Sequence, residues 1–157
     1  MADVAAARRA LESGLAAASA GRPVDASEQF CAVLDALGPD GGSDRRGSAV
    51  GPAPDGALDL AYIRARALLG LAMSELELSG DVAGAETRLA EAARWAARAG
   101  AGALEVAVLG QLGLVRMRSG DPRGALAALD EATRHLEAAE PVDACRILLN
   151  RGSLLLE

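Results

Sequence analysis

Few residues in this chain have the type and spacing to do chemistry. The one histidine, His135, has no second ligand or nucleophile at a distance along the chain that would make a metal set or a catalytic pair. The two cysteines, Cys31 and Cys145, are too far apart in sequence to suggest a zinc pattern, and two alone make no disulfide framework. Paired carboxylates occur at Glu75 with Glu77 and at Asp130 with Glu131. Acid–base work would need surroundings that raise a carboxyl pKa, and both pairs read as ordinary solvated helix faces. Gly70, Gly80, Gly84, Gly100 and Gly102 fall in no GxxxxGK[ST] pattern and follow no strand, so they do not form a phosphate loop. The expectation is therefore no catalytic, cofactor-binding or metal residues, and no enzyme. Cys31 and Cys145 are expected to pack as small apolar residues, and His135 to lie partly buried or at the surface.

Composition points the same way. Of 157 residues, 51% are hydrophobic but only 2% aromatic, and alanine and leucine supply most of the apolar share. These are strong helix formers. All 16 basic residues are arginine, and the net charge of −6 offers no basic face for nucleic acid. One Trp, one Tyr and one Phe leave little to stack on bases. The longest apolar stretch, Ala101 to Val115, is too short for a membrane span and carries Glu105 and Gln111. Near the start, Arg8 and Arg9 precede an alanine-rich run, as in an export signal. Glu12 and Ser13 interrupt its apolar core, so an amphipathic helix is the reading. No membrane partner is expected, and a cytoplasmic location with reduced cysteines follows.

What must position any functional side chain is a repeat. Shifted by 40 positions, residues 67–100 and 107–140 share 13 of 34 identities, including Ser79-Gly80-Asp81 against Ser119-Gly120-Asp121. Self-similarity at this period marks stacked helical pairs. Gly80 and Gly120 end one helix in a left-handed conformation, which is cheap without a Cβ. Asp81 and Asp121 cap the next, and Pro122 suits a first helical position. Five, nine and twelve residues after the glycine come Ala85, Leu89 and Ala92, then Ala125, Leu129 and Ala132, on one helix face. Seven before the turn, Gly113 is small enough to let two helices approach. The same spacing from Gly21 finds Gly14, Ala26, Phe30 and Val33, without the aspartate cap.

The first unit returns to the 40-residue period if Gly38–Gly56 is set aside. That stretch is rich in Gly, Pro, Ser and Asp and reads as an inserted, mobile loop. At the other end, Gly152 takes the place of Gly14 and Gly113, and Leu148 that of Leu69 and Leu109. The next turn glycine would fall beyond Glu157, so this unit is read as unfinished and the chain as a piece of something longer. The plan is one domain over 1–157, with units at 3–37, 57–100 and 103–140 and an incomplete one at 142–157. Its helices are expected at Val4–Ala20, Val24–Leu37, Ala57–Ser79, Val82–Ala99, Ala103–Ser119, Pro122–Ala138 and Val142–Leu156, with no strands.

These residues resemble the tetratricopeptide repeat. The small residues Gly14, Gly113 and Gly152 match that pattern, as do Ala26, Ala85 and Ala125, the bulky Phe30, Leu89 and Leu129, and Ala92 and Ala132. Departures are the longer unit, with Met73 and Val33 where the pattern has small residues. The resemblance implies an all-α, right-handed solenoid of antiparallel helix pairs, three pairs plus one closing helix. More narrowly, residues 67–96, 109–132 and 145–157 are similar to the N-terminal repeat region of bacterial proteins carrying a C-terminal caspase-like CHAT domain. That resemblance implies a recognition or regulatory region whose catalytic His and Cys lie elsewhere, so neither His135 nor Cys145 takes that part. An alternative is a tetratricopeptide regulatory region of a bacterial signalling ATPase or transcription activator.

A row of such pairs presents its first helices as a concave face that takes peptides or partner helices. Counting from the turn glycine places Arg8, Leu11 and Leu15 there from the first helix and Gly70, Ser74 and Glu77 from the third. The fifth adds Gly110, Leu114, Met117 and Arg118, and the seventh Arg146, Leu149 and Ser153. The expected partner is a protein or peptide held by burial. Arg116 falls where Ala17, Leu76 and Leu155 are expected to be buried, so either the unit is rotated there or Arg116 meets an acid. Leu148, Leu149, Leu154 and Leu155 need cover, and part of that stripe is expected to be exposed, so that two chains dimerise end to end or the last helix frays.

Overall fold

A computed structural model describes residues 3–39 and 55–156. Within them the chain is all-helical, with α1 at Val4–Ser19, α2 at Pro23–Leu37, α3 at Asp55–Ser79 and α4 at Val82–Arg98. Then come α5 at Gly102–Arg118, α6 at Pro122–Thr133 and α7 at Pro141–Leu155, and there is no strand among the described residues. None of these helices is long and apolar enough to cross a membrane.

The turns follow from local chemistry. Gly21, Gly80 and Gly120 have φ of 67°, 67° and 78°, where any Cβ would be strained. After two of them an aspartate closes the next helix. The Gly84 N–H donates to Asp81 Oδ1 at 2.9 Å, and the Gly124 N–H donates to Asp121 Oδ1 at 2.8 Å. Asp3 does the same for α1, accepting from the Ala6 N–H at 2.9 Å. At Gly21 the cap is Arg22, without a side-chain hydrogen bond, and Pro23 starts the helix.

Each helix packs on the next, and the odd-numbered ones also touch in succession, α1 on α3, α3 on α5 and α5 on α7. Three apolar clusters run along the row. In the first, Ala7, Ala26, Phe30, Val33 and Ala67 join α1, α2 and α3. The Phe30 ring lies where a Cβ on Gly14 or on Gly70 would stand, so two helices close on one ring. The second cluster gathers Ala72, Leu89, Ala92, Val108 and Val115, and the third Val106, Leu109, Leu129, Ala132 and Ile147.

Three expectations are corrected. The sixth helix does not reach Ala138: it stops at Thr133, and a 3₁₀ turn at Leu136–Ala138 follows. The Arg134 and His135 N–H groups bond three residues back, to Glu131 O and Ala132 O, which tightens the last turn. Pro141 then holds Glu140 extended, with ψ of 143°. The third helix begins at Asp55, so Asp55 and Gly56 belong to it and not to the loop expected at Gly38–Gly56. Residues 40–54 of that stretch lie outside the described residues. Finally, Cys31 and Cys145 are exposed as residues and belong to none of the three core clusters. Phe30 and Ile147 take the inward positions, and a residue one or two places along a helix points elsewhere.

Candidate functional site

The groups with chemical potential lie apart. On α2, Cys31 is exposed as a residue but its sulfur is partly shielded, and that partial burial pushes the thiol above its ordinary pKa; the Glu75 and Asp35 carboxylates add to this and the Arg88 guanidinium opposes it. A raised thiol pKa leaves less thiolate, so the nucleophilic form is disfavoured. His135 follows α6, half-buried, with Nε2 3.8 Å from Glu105 Oε1 and 3.7 Å from Glu131 Oε1. Among the described residues, no three His, Cys, Asp or Glu side chains gather as a metal set.

Where the odd-numbered helices meet, the fold does form a concave surface feature. A cavity of about 500 Å³ lies between the N-terminal halves of α3, α5 and α7. Tyr62 and Arg66 line it from α3, Ala103 and Ala107 from α5, and Glu140 and Asp143 from the start of α7. A narrower crevice continues along the α5–α7 boundary past Gly110 and Gln111 to Arg146. The surface therefore offers one cation and one phenol on one side, two carboxylates on the other, and alanines between. That combination suits a ligand with both charged and apolar groups, as a peptide has.

The orientation of α3 is set from its opposite side. Arg64, two residues from both Tyr62 and Arg66, is buried, and its Nη2 donates to the Gly38 carbonyl that ends α2. Its guanidinium lies 5.1 Å from the centroid of Trp95 on α4, and Arg98 lies 4.8 Å from the same ring. These contacts tie α3 to α2 and α4, and the helical turn then sends Tyr62 and Arg66 the other way.

Of the residues expected on this face, Gly110 and Arg146 line the crevice and none lines the cavity. Arg8 is exposed and bridges α1 to α3 through Asp59, at 2.6 Å. Leu11 is buried, and Leu15 is half-buried against the first core cluster. Ser74 is buried and offers no surface, whereas Glu77 is exposed. Gly70 sits against Phe30, so it faces α2. Leu114 and Met117 are half-buried, and Arg118 is exposed at the end of α5. On α7, Arg146 is exposed and 3.5 Å from Asp143, while Leu149 is exposed. Ser153 is exposed and turns its hydroxyl back to donate to Leu149 O.

Tyr62 and Arg66 were not among those residues. Their signal in the sequence is the spacing 62, 66, 73, 77 on α3, which keeps one helix face with Met73 and Glu77. Counting back from Gly80 in the register of the other units selected Ser74, one residue and about 100° away. Arg116 resolves as the second of the two outcomes foreseen for it: its Nε donates to Glu86 Oε1 at 2.9 Å and its Nη1 to Gly124 O at 3.1 Å.

No protein-family model, curated protein or solved structure matches this chain.

Proposed function

We propose that this chain is a protein-interaction module of tetratricopeptide-like units, stacked as a right-handed solenoid. It serves as the recognition and regulatory region of a bacterial CHAT-domain protease-like protein. The observation that carries the binding role is the cavity shared by α3, α5 and α7, walled by Tyr62 and Arg66 on one side and Glu140 and Asp143 on the other. The unit reading is supported by the two alike turns, Gly80-Asp81 and Gly120-Asp121, each a left-handed glycine followed by an aspartate cap.

The mechanism is capture. A surface held in place by the packing of successive helices loses little entropy on binding, so buried peptide area converts efficiently into affinity. The cation of Arg66 and the carboxylates of Glu140 and Asp143 fix the direction of the peptide, because reversing it would place like charges together. Occupancy would be relayed to a catalytic module through the helices that carry the cavity.

The assignment to a protease is tested by reading the coding frame downstream of Glu157. A caspase-like module with a His…Cys pair supports it. An ATPase or DNA-binding module there replaces it with the signalling alternative, and leaves the peptide surface to be tested by itself.

A further inference from the structure

Four arginines among the described residues are half-buried: Arg66, Arg88, Arg116 and Arg151. Three of them hold a carboxylate from the helix before. Arg88 meets Glu75 at 2.9 Å, Arg116 meets Glu86 at 2.9 Å and Arg151 meets Asp130 at 2.6 Å. Arg66, on the α3 wall of the cavity, has no hydrogen bond or ion pair with any described residue. Shielding a guanidinium from water has a cost that a carboxylate offsets. At Arg66 the described fold supplies none.

The surroundings say what else the missing carboxylate would bring with it. Tyr62, one turn before Arg66, is 43% exposed and adds a second donor, its hydroxyl, to the same wall. The facing wall has the other sign. Glu140 is exposed, and Asp143 has only the exposed Arg146, 3.5 Å away. Between the walls Ala103 and Ala107 of α5 offer no polar side-chain atom. In an extended peptide, side chains two positions apart point to one face and lie about 7 Å from each other. A cavity of about 500 Å³ falls in the range that holds small ligands, so it takes two such side chains and the backbone between them, not a whole helix.

We propose that the cavity selects an extended peptide carrying an acidic and a basic residue two positions apart, the acid on Arg66 and Tyr62 and the base on Glu140 and Asp143. This rests on the peptide-capture reading above and adds the chemistry that the captured peptide must have. The acid is a side chain, as Glu75, Glu86 and Asp130 are for the other three arginines, and not a chain end. The residue between the two charges points to solvent and is unrestricted.

Tyr62 is the one tyrosine of the chain, so its ring resonances report occupancy of the cavity by NMR on the intact protein. The probes are heptapeptides blocked at both ends, with glutamate and lysine two apart in either order among alanines, and versions with alanine in place of one or both charges. At least one order should shift the ring signals saturably, and loss of either charge should weaken binding at least tenfold. Arg66→Glu should abolish that binding and accept instead a peptide with lysine at both positions, an exchange of preference that misfolding cannot produce. Glu140→Gln with Asp143→Asn should remove the advantage of the lysine alone. An uncharged peptide that binds as well as the charged ones would overturn the inference and leave peptide capture standing. Binding only by a peptide with a free C-terminus would overturn it in favour of a chain-end carboxylate. If the blocked peptides leave the ring unmoved while peptides selected from a displayed library move it, the pairing rule alone is wrong; if neither moves it, capture at this cavity is wrong as well.

Discussion

Arg116 on α5 and Glu86 on α4 are joined at 2.9 Å across the boundary between two helix pairs, with both side chains mostly shielded from solvent. The arginine occupies a position that is buried alanine in the first unit, Ala17, and half-buried leucine in the second, Leu76. Its second hydrogen bond, to the Gly124 carbonyl, reaches the first turn of α6. One side chain therefore links three helices.

Removing it should cost more than a surface ion pair would. Arg116→Ala leaves Glu86 without its cation and deletes two charge-assisted hydrogen bonds, so a loss of about 1–3 kcal/mol is expected. Urea unfolding of Arg116→Ala, Glu86→Ala and the double variant measures it. The double variant should be less destabilised than the two losses summed, by about 1 kcal/mol.

Glycines that look alike in the sequence should respond with opposite sign. At Gly14 a Cβ would stand 2.7 Å from the Phe30 ring, and that ring cannot retreat because α3 approaches it at Gly70. Gly14→Ala should destabilise by about 1–3 kcal/mol through overpacking. Gly152→Ala meets no neighbour and should stabilise by up to about 1 kcal/mol through helix propensity alone. Paired thermal melts decide between this and a uniform glycine effect.

The Cys31 thiol should react slowly at neutral pH. Burial, with Glu75 and Asp35, raises the Cys31 pKa against the pull of Arg88, so at neutral pH its thiolate fraction is below that of an ordinary cysteine. Alkylation by neutral iodoacetamide should reach half its maximal rate at a pH above the usual thiol range of about 8.5. Glu75→Gln should accelerate it and Arg88→Ala should slow it. Because the folded state holds the proton more tightly, the stability linked to Cys31 is fully present below the unfolded pKa. It is lost as pH rises through the folded one.

How much was legible in the sequence follows from the range of the forces involved. Turns and helix starts are set by Gly80, Asp81, Gly120, Asp121 and Pro122 acting on residues within four positions, and the structure places them as the sequence implies. The end of α6 was missed because two weak influences combine there, the hydrogen bonds three residues back at Arg134 and His135 and the constraint of Pro141. The surface was harder to read. That Ser74 turns inward depends on the rotation of α3, which buried Arg64 sets through Gly38 and Trp95, from elements distant in sequence. A repeat count carries the register of one unit into the next and has no access to such a contact.

The central claim is that the surface around Tyr62 and Arg66 captures peptides. Peptides selected from a random displayed library on the intact chain should be titrated by calorimetry against the parent, Tyr62→Ala and Arg66→Glu. Both side chains are at least partly exposed, so neither substitution should move the thermal midpoint by more than about a degree or two. The account predicts saturable binding that each substitution weakens at least tenfold. Peptides that bind equally well to all three proteins, or a selection that yields none, would contradict it.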